Sequence, residues 1–174
     1  DKRYLNEDSY VDPDYIENSF SLSDADKKIK ADPEKNFRVL DETSGSPFED
    51  SHASYYHNSV GGYHPAKLAI YNDLIQHQLL KGNQEVYNML NTKYIIQKSR
   101  DGREDVAVLN PGAFGSCWLV SSIKVVPTAD GEMAALDSLN LRDTAVVQQS
   151  FMKDIPFLPV KDSTASLKLI ENLN

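Results

Sequence analysis

The residues best equipped for chemistry stand together in one stretch, Ser54-Tyr55-Tyr56-His57-Asn58-Ser59-Val60-Gly61-Gly62-Tyr63-His64-Pro65-Ala66-Lys67. Three tyrosines and two histidines surround a Gly-Gly pair. Tyr and His offer flat apolar faces with hydrogen-bonding edges, which suits sugar rings and lipid headgroups. Lys67 adds a cation for a phosphate. Tyr56, His57, Tyr63, His64 and Lys67 are therefore the candidate ligand-binding residues. A second reading stands beside this one: the tyrosine rings pack inward, bond their hydroxyls to backbone and tie the loop to the core.

Other chemistries find little purchase. The four histidines, His52, His57, His64 and His77, form no His-Glu-x-x-His and no pair at helical spacing. One cysteine cannot make a zinc knuckle, so no metal ligand is assigned. Gly45, Gly61-Gly62 and Gly112-x-x-Gly115 match neither the dinucleotide turn nor a P-loop, and no cofactor is assigned. Gly115-Ser116-Cys117 lacks the second glycine of a nucleophile elbow. Cys117 lies in the apolar run Cys117-Trp118-Leu119-Val120 and reads as a buried, inert thiol. Asp41, Glu42, Glu49 and Asp50 flank the central loop and read as a solvated acidic rim rather than as paired catalytic carboxylates. No catalytic residue is assigned.

The elements that must position the loop follow from pattern. Pro65 suits a first helical turn, and Leu68, Tyr71, Leu74, Ile75 and Leu79 recur at helical spacing, predicting a helix from Pro65 to about Lys81. Lys81-Gly82 ends it, and Asn83 caps a second helix carrying Val86, Met89 and Leu90, giving an αα-hairpin. Phe37–Leu40 is a first strand. Tyr94–Gln97 and Val106–Leu109 are strands joined through an Asp101-Gly102 turn. Trp118–Val126 reads as the longest strand, Ala129 to about Leu139 as a helix capped by Thr128, and Thr144–Val147 as a fifth strand reached by a parallel crossover. The fold class is α/β with α+β character: a mixed sheet of about five strands with the αα-hairpin and further helices packed on it. The core expected around one sheet comprises Leu68, Tyr71, Leu74, Ile75, Met89, Leu90, Ile95, Trp118, Val120, Met133 and Leu136.

Three regions follow. Residues 1–36 are an extended acidic arm with a short helix, Asp24 to Ala31, capped by Ser23. Residues 37–150 form the mixed α/β domain. Residues 151–174 are an irregular tail leading into a further β region at Ser166–Ile170. The 174 residues suffice for one domain with a core. A net charge of −8 argues against nucleic acid as a partner, because phosphates need a basic surface. No run reaches the ~20 apolar residues of a membrane span. The opening Asp1-Lys2-Arg3 reads as the start of an excised piece, with membrane segments expected outside it.

A resemblance runs from about Phe37 to Val147. The blocks SYYHNSVGGYHPAKLAIYNDLI, NMLNTKYII and NPGAFGSCWLV, in that order, resemble the extracytoplasmic part of the YfhO family of bacterial polytopic membrane proteins. That family is similar to integral-membrane glycosyltransferases that use lipid-linked sugars. The resemblance implies a non-catalytic extracytoplasmic domain, tethered at the outer face of the cytoplasmic membrane or in the periplasm. Its implied partners are the membrane-embedded region of the same polypeptide and a glycan or lipid-linked sugar. The alternative is a secreted or surface carbohydrate-binding module with no transferase attached.

Overall fold

A computed structural model describes residues 10–171. In chain order it has helices α1 (Pro13–Ser19) and α2 (Asp24–Lys30), strand β1 (Arg38–Asp41), and helices α3 (His52–Tyr56), α4 (Ala69–Leu74) and α5 (Gln84–Met89). Strands β2 (Thr92–Lys98), β3 (Asp105–Leu109) and β4 (Ser122–Val126), helix α6 (Ala129–Ala135) and strand β5 (Thr144–Gln148) follow, then a 3₁₀ turn, Gln149–Asp154. The fold is mixed α/β, as expected. The five strands among the described residues divide into a sheet ordered β1-β2-β3 and a separate pair, β4-β5.

Alternation in the first sheet places apolar residues on both faces. Val39, Tyr94, Ile96 and Ala107 pack with Phe37 and with Ala25 and Ile29 of α2. Leu40, on the opposite face, joins Phe48, Val60, Ile75, Leu79, Val86, Phe114, Leu136 and Leu141 in a larger core, with Ile95 packed against it. β1 lies parallel to β2, and β2 antiparallel to β3. The Asp101-Gly102 turn joins the hairpin, with Gly102 at φ +73°. α2 begins with a capping box: Asp26 N–H donates to Ser23 Oγ at 3.1 Å, and Ser23 N–H donates to the Asp26 carboxylate at 2.9 Å. The short helix foreseen in the arm is thus part of the core.

The αα-hairpin forms, but its first helix starts at Ala69, not Pro65. Leu68 is only the residue before it and is 74% exposed, so it leaves the expected core. The helix continues through a π turn, Ile75–Leu79, whose Leu80 N–H bonds to the Ile75 carbonyl at 2.9 Å. The extra residue per turn shifts the buried stripe. Gln78 becomes 1% exposed beside Ile75 and Leu79, while Ile70 stands 76% exposed. Gln78 is satisfied there: its Nε2 donates to the Met133 carbonyl at 2.8 Å and its Oε1 accepts from Asn83 at 2.7 Å.

The expected long strand is shorter. Trp118 does not extend β4; its indole N–H donates to the Leu141 carbonyl at 3.2 Å and its ring meets Phe114 at 5.1 Å. Anchoring that ring breaks the alternation, so Cys117 is exposed rather than buried and Val120 is half-buried outside both clusters. β4 and β5 are parallel with α6 between them, and α6 ends at Ala135, one turn earlier than expected. The arm reading also changes. Its residues 1–9 lie outside the described residues, and Pro13–Ser19 is helical rather than extended. No strand forms at Ser166–Ile170, where Ile170 is 94% exposed. Among the described residues, no helix is long and apolar enough to cross a membrane.

Candidate functional site

The central loop divides at its glycines. Its first part is not a loop throughout: His52–Tyr56 is the short helix α3, and His57 leaves it in extended conformation, φ −137°. Residues 58–60 then run along the free edge of β1. Val39 N–H donates to the Asn58 carbonyl and Val60 N–H to the Val39 carbonyl, both at 2.9 Å. β1 is therefore paired on both sides, by β2 and by this segment. Gly61 follows where a Cβ would stand 1.8 Å from the Pro47 carbonyl oxygen, a contact only glycine allows.

This pinning turns His57 toward α2. Its Nε2 lies 2.8 Å from Asp26 Oδ1, and the two side chains are 5% and 4% exposed. The other Asp26 oxygen accepts from Ser23 N–H at 2.9 Å and from Ser23 Oγ at 2.6 Å. Burial pushes the Asp26 pKa up, but the bonds from Ser23 and His57 outweigh it and hold it below the ordinary value. Asp26 is thus a carboxylate that only accepts, and the bridging proton belongs to His57 Nε2. Asp26 is the sole hydrogen-bond partner of the His57 ring among the described residues. Among the described residues, no serine, threonine or cysteine hydrogen-bonds to the ring to complete a nucleophilic relay.

His57 also lines two adjoining concavities, which share Phe37, His57 and Asn58. The first, about 550 Å³, gathers Asn36 and Arg38, His57 to Ser59, Met89 to Asn91, and Gly115-Ser116. The second, about 300 Å³, is bordered by Lys30, Lys35, Ser54, Tyr55 and Tyr56. Three cations and no carboxylate line this groove, although the chain carries net charge −8. Lys30 Nζ sits 5.0 Å from the Tyr56 ring centroid, and the Tyr56 hydroxyl donates to the Phe20 carbonyl.

The far wall is built on a left-handed residue. Asn91, at φ +56°, follows α5 and turns the chain into β2. Its Nδ2 donates to the Asn36 carbonyl at 2.6 Å, which also accepts from Ser116 Oγ at 2.9 Å. Arg38 donates its N–H to the Asn91 carbonyl at 2.9 Å and its Nη1 to the Leu90 carbonyl at 3.2 Å. These bonds hold three distant segments around one opening.

Of the five sequence candidates, Tyr56 and His57 share this groove. Tyr63, His64 and Lys67 line neither concavity. Tyr63 is 65% exposed, and His64 Nδ1 accepts from Ala66 N–H at 3.0 Å, closing the turn that delays α4. Lys67 Nζ donates to the Phe48 carbonyl at 2.6 Å. Asp26, Asn36, Arg38, Asn91 and Ser116 were not foreseen. The Ser23-x-x-Asp26 spacing signals a capping box, but nothing in sequence aims Asp26 at a histidine 31 residues away. Among the described residues, no three His, Cys, Asp or Glu side chains gather as a metal donor set. No protein-family model, curated protein or solved structure matches the chain.

Proposed function

We propose that this chain is a non-catalytic glycan-holding domain, extracytoplasmic and attached to a polytopic membrane protein of the glycosyltransferase-like kind its sequence blocks resemble. The observation that supports the reading is convergence. His57 to Ser59 come from the first block, Met89 to Asn91 overlap the second and Gly115-Ser116 come from the third, and all line one opening. Amides, hydroxyls, an Arg and an imidazole make up its polar wall, the donor and acceptor mixture that a polyhydroxylated ring needs. Tyr55 and Tyr56 extend it with aromatic faces. The groove offers no carboxylate pair for glycosidic chemistry. Its role is to hold an acceptor glycan while a membrane-embedded region of the same polypeptide performs transfer.

The experiment has two arms. In the first, the chain is incubated with polyprenyl-phosphate sugars and cell-envelope acceptors, and product formation should not exceed the blank. In the second, neutral oligosaccharides are titrated into the ¹⁵N-labelled chain, and the amide signals of Asn58, Asn91 and Ser116 should move. Turnover abolished by a single acidic substitution, or glycan-induced shifts confined to Tyr63 and His64, would overturn the reading.

A further inference from the structure

Resting on that reading, we infer that Asp26 is a positioning residue that fixes His57 in one tautomer, so that Nδ1 accepts a hydrogen bond from a hydroxyl of a neutral, polyhydroxylated ligand in the groove. Three observations lead there. The His57 side chain is 5% exposed, so its ring is held rather than free. Nε2 is committed to Asp26, while Nδ1 has no partner among the described residues and is not one of the buried atoms closed off without a partner. His57 belongs to the walls of both concavities.

The asymmetry of the carboxylate sets the rest. Oδ2 accepts from both Ser23 N–H and Ser23 Oγ, and Oδ1 faces His57 Nε2. An acceptor on the histidine side demands a donor there, which in the neutral imidazole leaves Nδ1 with a lone pair. The formally charged side chains that line the groove are Lys30 on α2, Lys35 after it and Arg38 on β1, all cations. They supply donors to ligand oxygens, and the imidazole supplies an acceptor that those cations lack. A ring hydroxyl, which donates and accepts at once, satisfies both.

Asp26→Asn tests this with a defined geometric outcome. The Ser23 N–H needs an acceptor, so the amide oxygen of the variant stays on Ser23 and its NH₂ faces His57. That forces Nε2 to accept and Nδ1 to carry the proton. The readout is the pair of ring ¹⁵N shifts of His57 at pH 8, with maltotriose, chitotriose and inorganic phosphate as probes. In the wild type, Nε2 should give the protonated signature and Nδ1 the unprotonated one, and a trisaccharide should shift Nδ1. In Asp26→Asn the two signatures should exchange and trisaccharide affinity should fall at least tenfold.

Ser23→Ala weakens the same cap without altering what faces His57. It should lower stability while keeping the tautomer and the affinity, which separates positioning from a merely structural role. A wild-type Nδ1–H tautomer overturns the inference even if Asp26→Asn fails to fold. Shifts at Asn91 and Ser116 with His57 unmoved overturn this inference alone. A response to phosphate but to neither trisaccharide, or no response anywhere, overturns the glycan reading along with it.

Discussion

The two halves of the central loop have nearly the same chemistry and opposite fates. Tyr55-Tyr56-His57 before the glycines and Tyr63-His64 after them are both aromatic and imidazole-rich. The first half is held from outside itself: His57 by Asp26 on α2, Asn58 and Val60 by β1, and the Tyr56 hydroxyl by the Phe20 carbonyl. In the second half Lys67 reaches the Phe48 carbonyl, but among the described residues the His64 ring bonds only within its own turn, and Tyr63 and Leu68 stand 65% and 74% exposed. Composition therefore marks where a site can form. Long-range partners decide which part of the stretch joins the groove.

The strongest way to break this contrast is at its boundary. Gly61→Ala would drive a methyl into the Pro47 carbonyl oxygen, where the added Cβ stands at 1.8 Å. Backbone cannot yield as a side chain tip does, so the loss of stability should be roughly 4 kcal/mol, above ordinary overpacking. Chemical denaturation measures it. A loss under about 1 kcal/mol would mean that the two halves are not separated by this contact.

Removing the long-range partner should come next. Asp26→Ala leaves Ser23 and a buried imidazole without their acceptor and should cost about 3 kcal/mol. The same pair predicts a pH effect whose sign follows from linkage. The folded-state pKa of Asp26 is held below the ordinary 3.8, so its contribution is present above that value and lost as pH falls through the lower folded value. Wild-type stability should decline on acidification below about pH 4, and Asp26→Asn should flatten that part of the curve. An unchanged acid limb would show that the pair does not stabilise the fold.

The smallest effects belong to the second half. Tyr63→Ala and Leu68→Ala should each change stability by no more than about 0.5 kcal/mol, because both side chains stay largely in solvent on folding. By contrast Ile75→Ala, one helix further on and 2% exposed, should cost about 2–5 kcal/mol. If Leu68→Ala matched Ile75→Ala, the helix would begin at Pro65 after all.

Much of the framework was legible in the sequence because local signals agree with one another there. Ser23 caps α2, Asp101-Gly102 turns the hairpin, Asn83 caps α5 and Thr128 caps α6, each through bonds that span only a few residues. The branched and aromatic runs of β1, β2, β3 and β5 likewise announce strands within a residue or two of where they lie. Tertiary structure decided what no short window contains. It inserted the π turn that buried Gln78, because Met133 and Asn83 were there to satisfy the amide. It split the strands into two sheets and kept Trp118 out of β4, because the indole found the Leu141 carbonyl. It also chose His57 over His64, since one imidazole meets a buried carboxylate from α2 and the other meets only its own turn. Capping and alternation are properties of neighbouring residues. The groove is a property of residues 36, 57, 91 and 116 meeting in space, and only the folded chain brings them together.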